Sequence, residues 1–187
     1  MKKAIFFDRD GVLNKEIYRK NLKKWTAPHD ENEVKINKDV LKVLKELNKK
    51  NFLIFIISNQ PDYALGMVSL KKLKCVHKKI NKILKKNSIK VNSFFYSYKH
   101  PKSIKKRYGP PCNDRKPNPF FINKIKKKYK LNLKNIWIIG DRQTDVECGF
   151  RAGIKTIGLF NNQYKFDNKK KADFFIGKIT KILNIIK

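Results

Sequence analysis

A chain of 187 residues suits one domain with a core of ordinary size, and 41% hydrophobic with 12% aromatic residues excludes a disordered polymer despite 33% charged residues. The net charge of +31, from 46 Lys and Arg against 15 Asp and Glu, will attract polyanions, but the lysines are spread through helical segments and read as a solvated face, so no specific nucleic-acid partner is expected. No apolar run approaches the roughly 20 residues that span a bilayer, and the three scattered cysteines (Cys75, Cys112, Cys148) fit reduced thiols, so a cytoplasmic protein with no membrane partner is expected.

Lys3 to Phe7 predicts a buried first strand, which runs straight into Asp8-Arg9-Asp10-Gly11. Asp39 to Lys50 has the apolar spacing of a helix, through Val40, Leu41, Val43, Leu44 and Leu47. Phe52 to Ile57 is a near-continuous apolar run, as for a strand covered on both faces, and Ser58-Asn59-Gln60 follows it. Ser69 to Lys86 is helical, with Ser69 as N-cap. Val91 to Tyr96 is a third strand, and Arg115-Lys116-Pro117 precedes a helix from Pro119 to Tyr129. Asn135 to Ile139 is a strand that leads into Gly140-Asp141-Arg142-Gln143-Thr144-Asp145. A helix from Thr144 to Ala152 ends at Gly153, followed by strands at Ile154 to Phe160 and Ala172 to Ile176 and a terminal helix from Ile179. Strand and helix in alternation predict a mostly parallel sheet covered on both faces. With no repeat or linker, residues 1–187 are expected to form one domain.

Each polar loop has an ordinary reading as a turn or a cap. Together, at successive strand ends, they have the chemistry of phosphoryl transfer through an aspartyl-phosphate. A carboxylate attacking a shielded phosphorus needs a hard cation to bring the two anions together. Asp8, the carbonyl of Asp10 and Asp141 offer magnesium ligands. Asp10 is placed to protonate a leaving alkoxide and then to deprotonate water. Ser58 and Lys116 can bind the remaining phosphoryl oxygens. Asp145, one helical turn past Asp141, can orient metal-bound water or hold Lys116.

The ordered set resembles the haloacid dehalogenase-like phosphatase superfamily, from Ile5 to about Leu159. The resemblance implies a Rossmann-like α/β fold with no large cap domain, Asp8 as nucleophile, Asp10 as general acid and base, and Asp141 as a magnesium ligand. Longer stretches, FFDRDGVLN at 6–14, IISNQP at 56–61 and DRKPNPFFI at 114–122, look like a cap-poor subgroup that acts on heptose 1,7-bisphosphate or histidinol phosphate. The implied reaction is hydrolysis of the 7-phosphate of D-glycero-D-manno-heptose 1,7-bisphosphate, in making activated heptose for lipopolysaccharide core or surface glycans. The implied substrate-binding residues are Arg9, Glu16, Arg19, Ser58, Asn59, Gln60, Arg115, Lys116 and Arg142, with Ile17 and Tyr18 near the sugar. Arginine suits that role because its planar fork binds phosphate oxygens in pairs.

Many members of that subgroup carry a structural zinc in the loop before Arg115. The corresponding positions here are Ser97, Lys99, Cys112 and Asp114, and serine and lysine are poor partners for zinc, so none is expected. His100 is expected to be a loop residue, His29 and His77 ordinary surface or helix residues away from any motif, and Trp25 and Trp137 packed. The surviving alternatives are a phosphatase of histidinol phosphate or another small ester and, from another class, a basic nucleic-acid-binding protein or polynucleotide 3′-phosphatase. The strong charge argues for a monomer through self-repulsion.

Overall fold

In a computed structural model, which describes residues 2–131, 133–161, 163–167 and 171–186, six parallel strands form one twisted layer. They are β1 (Ala4–Phe7), β4 (Leu53–Asn59), β5 (Ser93–Ser97), β6 (Ile136–Gly140), β7 (Lys155–Leu159) and β8 (Phe174–Ile176), in the order β5-β4-β1-β6-β7-β8. A separate antiparallel hairpin joins β2 (Ile17–Arg19) to β3 (Lys24–Thr26). The helices are α1 (Lys38–Lys49), α2 (Leu70–Lys86), α3 (Phe120–Tyr129), α4 (Gln143–Ala152) and α5 (Ile182–Ile185).

Alternation of side chains along the strands divides the core between two faces. Ile5, Phe7, Ile54 and Ile56 pack on one face against Val40, Val43 and Leu47 of α1 and Val76 and Ile80 of α2. Their neighbours Ala4, Phe6, Phe55 and Ile57 pack on the other face against Ile122 and Ile125 of α3 and Cys148 and Ala152 of α4. All four residues of β1 are at 0% exposure, so the central strand reads as an unbroken apolar run. Ser69 Oγ accepts from Lys72 N, as expected of the N-cap of α2; α4 begins at Gln143, one residue before the expected Thr144, and Asp145 in its first turn accepts from the Arg142 backbone. Gly153 closes α4 in the left-handed conformation at φ +67°.

The chain leaves β1 for β4 on one side and returns to β6 on the other, so β1 marks the topological switch point, the usual seat of a ligand in such sheets. The register sets which residues meet there. Phe7 pairs with Ile56 and Ile139, so Asp8 and Asp141, just past β1 and β6, meet Ser58 near the end of β4 at the carboxyl edge of the sheet.

Several expectations are corrected. The third strand begins at Ser93, because Asn92 turns its side chain to accept from Ile54 N ahead of the ladder. The last strand begins at Phe174, and the terminal helix opens with a 3-10 turn at Ile179–Lys181. The hairpin was not anticipated, and Trp25 on it is 38% exposed, whereas Trp137 is buried. Among the described residues no helix is long and apolar enough to cross a membrane.

Candidate active site

Beyond the carboxyl ends of the strands lies a cleft of about 580 Å³, within the usual range for small-molecule sites. Its floor holds Asp8, Asp10, Ser58, Asn59 and Lys116. One wall carries Glu16, Arg142 and Tyr164, another Asp62, His100 and Arg115, and Lys24, Trp25 and Thr26 of the hairpin reach in from the rim.

Lys116 organises the floor. Its ammonium lies 2.8 Å from Asp8 Oδ1 and 2.5 Å from Asp145 Oδ1, and it donates to the Ile57 carbonyl at 3.0 Å. Asn59 clamps the Lys116 backbone from both sides, accepting from its N–H and donating to its carbonyl. Burial alone would lower the Lys116 pKa, but Asp145 and Asp8 raise it, so the ammonium stays charged.

Asp8, Asp141 and Asp145 present oxygens within 4.8 Å of one another, the one such grouping of three among the described residues. Burial and then the charges of its neighbours push Asp8 up to about 7, with Lys116 pulling the other way. Burial, then Asp8 and Asp145, push Asp141 up to about 8. Asp141 Oδ2 accepts from Asn161 at 2.6 Å, while Asp141 Oδ1 is buried without a hydrogen-bond partner. The crowded carboxylates of Asp8 and Asp141, the latter with its orphaned oxygen, are donors fitted to a hard divalent cation, while Asp145 is committed to Lys116 and the Arg142 backbone. Gly11 makes room for the Asp141 carboxylate: its φ is +84°, and a Cβ there would sit 1.9 Å from Asp141 Oδ2.

Asp10 is held differently. Both its oxygens accept from the Arg9 guanidinium at 2.9–3.2 Å, and Asn14 and Gln60 add bonds of 2.9 and 2.5 Å. Burial opposes the charge, but Arg9 and these donors outweigh it and keep the carboxyl below its ordinary range. Ser58 Oγ reaches Asp10 at 3.4 Å, the loosest of these contacts.

The structure therefore brings Asp8, Asp10, Ser58, Asn59, Lys116, Arg115, Glu16 and Arg142 to one cleft, with Asp141 and Asp145 packed beside Asp8. Three residues expected to meet substrate do not line it. Arg9 is at 0% exposure and Gln60 at 1%, both turned beneath Asp10, and Arg19 is spent on a two-bond pair with Glu33 that braces the hairpin. His77, expected to lie away from any motif, accepts from Arg9 at 2.6 Å. His29 is paired with Asp62 of the cleft wall at 2.8 Å. Tyr164 was missed, although it follows β7 at the carboxyl edge of the sheet, where such residues collect. Its hydroxyl donates to Glu16, and its ring lies 4.2 Å from the Arg142 guanidinium. Arg142 also pairs with Glu16, whose Oε2 is buried without a partner. In the loop before Arg115, Ser97 donates to Asp114 at 2.9 Å and Lys99 to the Pro111 carbonyl at 2.8 Å, so three of the four positions compared with a zinc site are engaged in hydrogen bonds.

A parallel sheet with paired carboxylates after its central strand, a lysine bridging two of the acids and a third acid at the next strand tip defines a hydrolase class, and comparison with known proteins agrees. The HAD-hydrolase-like family model matches residues 113–180. The D-glycero-alpha-D-manno-heptose-1,7-bisphosphate 7-phosphatase of Photorhabdus laumondii is 30% identical over 152 residues, covering 81% of this chain and 79% of its own. The enzyme of the same name from Campylobacter jejuni is 28% identical over 99% of this chain and 96% of its own. The crystal structure of D,D-heptose 1,7-bisphosphate phosphatase from B. bronchiseptica, complexed with magnesium and phosphate, has the same fold at a TM-score of 0.76 and 19% identity, covering 98% of this chain and 97% of that one. The chain belongs to the HAD-like hydrolase family. Within it, the chain is a phosphoric monoester hydrolase.

Proposed function

We propose that the protein is a magnesium-dependent phosphatase that removes the 7-phosphate of D-glycero-D-manno-heptose 1,7-bisphosphate through a phosphoenzyme on Asp8. The observation that carries the reading is the Lys116 ammonium set between Asp8 and Asp145, beside the unpartnered oxygen of Asp141. Asp8, Asp141 and the Asp10 carbonyl would hold the cation, which when bound draws charge from the phosphoryl group and lets two anions approach.

An Asp8 carboxylate oxygen attacks phosphorus, forming the acyl phosphate bond as the bond from phosphorus to the sugar oxygen breaks. Asp10, having taken up a proton, gives it to the departing alkoxide. In the second step water loses a proton to Asp10 and attacks phosphorus, which frees Asp8 and releases phosphate. Lys116 and Ser58 face the phosphoryl oxygens throughout and offset their charge. Asp145 keeps Lys116 in place, and Asn59 fixes its backbone.

The cleft walls favour a sugar bisphosphate. Arg115 lines one side, half buried and anchored to the Lys99 carbonyl, where it can take the phosphate that is not cleaved. Glu16, with a free buried oxygen, and Gln163, with another, are acceptors suited to sugar hydroxyls. The relatives named for heptose bisphosphates support the same substrate. Phosphate release should be measured with magnesium from both anomers of heptose 1,7-bisphosphate, histidinol phosphate, fructose 1,6-bisphosphate and a 3′-phosphorylated oligonucleotide. Selective turnover of a heptose bisphosphate is expected. A preference for histidinol phosphate or the oligonucleotide would overturn the substrate assignment.

A further inference from the structure

Arg9 carries the bulkiest fully buried side chain among the described residues, yet that side chain does not line the cleft; its backbone N–H donates to Asp8 Oδ1 at 2.7 Å. Burying a guanidinium is costly unless every donor is satisfied, so its partners reveal what it serves. Nε and Nη2 grip the Asp10 carboxylate, and Nη2 also donates to Gln60 Oε1 at 2.7 Å. Nη1 points the other way, to His77 Nδ1 at 2.6 Å.

Arginine has donors only, so Nδ1 of His77 must accept, and the ring is neutral with its proton on Nε2. Nε2 then donates to the Tyr98 hydroxyl at 3.0 Å. The imidazole is stacked on Tyr96 at 3.7 Å with the planes 6° apart, so it can neither tilt nor turn over freely. Tyr96 in turn lies under the guanidinium, 5.7 Å from its ring centre. Burial and the Arg9 charge push His77 down to about 3, which keeps it an acceptor through the neutral range.

We infer that His77, on a helix 68 residues from Arg9 in sequence, is a positioning residue for Asp10: by accepting the outer Nη of Arg9 it fixes the direction from which the guanidinium grips the acid/base. The inference rests on the reading of Asp10 as the group that protonates the leaving oxygen. Without the acceptor at position 77, Arg9 turns to find another, and the Asp10 carboxylate loses its two-point hold. The consequence falls on proton transfer and spares the attack by Asp8, whose carboxylate is held by Lys116 and by the Arg9 backbone N–H, neither of which depends on the guanidinium.

Leaving-group dependence tests this. An alkoxide must be protonated as it departs, whereas p-nitrophenolate leaves as a stable anion and needs no proton. Single-turnover release of the leaving group, which reports the first step alone because Asp10 also serves the second, is compared between the preferred sugar phosphate and p-nitrophenyl phosphate for the parent, Asp10→Asn, His77→Leu and His77→Gln at saturating magnesium. Asp10→Asn is expected to lose about 10²–10⁴-fold in that release rate on the sugar phosphate and far less on the aryl ester. His77→Leu should lose roughly 10-fold or more in the release rate on the sugar phosphate, as a misplaced catalytic group does, with substrate affinity and aryl release within about twofold. His77→Gln, whose amide oxygen can accept from Arg9, should recover most of that loss. If His77→Leu lowers both substrates equally, or neither, while Asp10→Asn keeps its selectivity, the His77 assignment is overturned alone. If Asp10→Asn is itself indifferent to the leaving group, the acid/base reading of Asp10 falls and His77 falls with it.

Discussion

Asp141→Asn keeps the shape of the side chain and removes one charge from the carboxylate cluster. Two unit charges 4.8 Å apart repel by about 3.5 kcal/mol at an effective dielectric constant of about 20. Lys116 answers Asp8 and Asp145 directly, whereas Asp141 is met by the neutral amide of Asn161. The folded-state values of about 7 for Asp8 and about 8 for Asp141 lie above their ordinary 3.8, so between these limits the folded protein holds more protons than the unfolded chain. Stability of the metal-free parent therefore falls as pH rises from about 4 to about 8. Above that range the metal-free Asp141→Asn variant is expected to be more stable than the parent by about 1–3 kcal/mol, or about 2–10 °C in Tm. At about pH 5 the two should converge, because the parent carboxyls are then protonated. Magnesium at 100 times its Kd would add about 2.7 kcal/mol to the parent, roughly 5–10 °C, and almost nothing to the variant. Thermal melts in chelator and in magnesium across this pH range measure both effects. A variant that keeps the parent's magnesium shift, or is no more stable without metal at high pH, would refute the cluster as the metal site.

Gly11→Ala places a methyl group against the Asp141 carboxylate at a φ that side chains avoid, so magnesium binding, read by titration calorimetry, should weaken at least about tenfold. Lys116→Met leaves Asp8 and Asp145 buried with no cation between them, and denaturant melts of the metal-free protein should show a loss of about 3–5 kcal/mol, with phosphate release falling at least about 10²-fold. Arg19→Ala releases the hairpin that carries Lys24 and Trp25 to the cleft, so KM should rise with little change in kcat. Arg19 holds the Glu33 carboxyl down at about 2, so the pair's contribution is present above the ordinary 4.5 and lost as pH falls toward about 2. Melts of Arg19→Ala and the parent should therefore converge in strong acid.

The parallel sheet was legible because β1, β4 and β6 are short apolar runs whose two faces are both covered, and periodicity reports that directly. The acids and Lys116 were legible because each stands within a few residues of a strand or helix end. Arg9 was misread for a physical reason: between two carboxylates an arginine looks like a phosphate ligand, and only the fold shows that its side chain turns under Asp10 toward α2. The partner His77 is 68 residues away and carries no local signal. The hairpin was missed because its strands are three residues each and joined by the polar turn Lys20-Asn21-Leu22-Lys23, too short for alternation to register. Trp25 followed from that error, since a tryptophan in an unassigned loop is by default taken as packed.

Trapping the phosphoenzyme tests the central claim most directly. The enzyme is mixed with magnesium and substrate labelled at phosphorus, quenched in acid within the first turnover, and the labelled peptide is mapped. The account predicts label on Asp8 that is released by mild base, and neither label nor turnover in Asp8→Asn. Free phosphate formed at full rate with no label on Asp8, or an Asp8→Asn variant that still turns over, would contradict it.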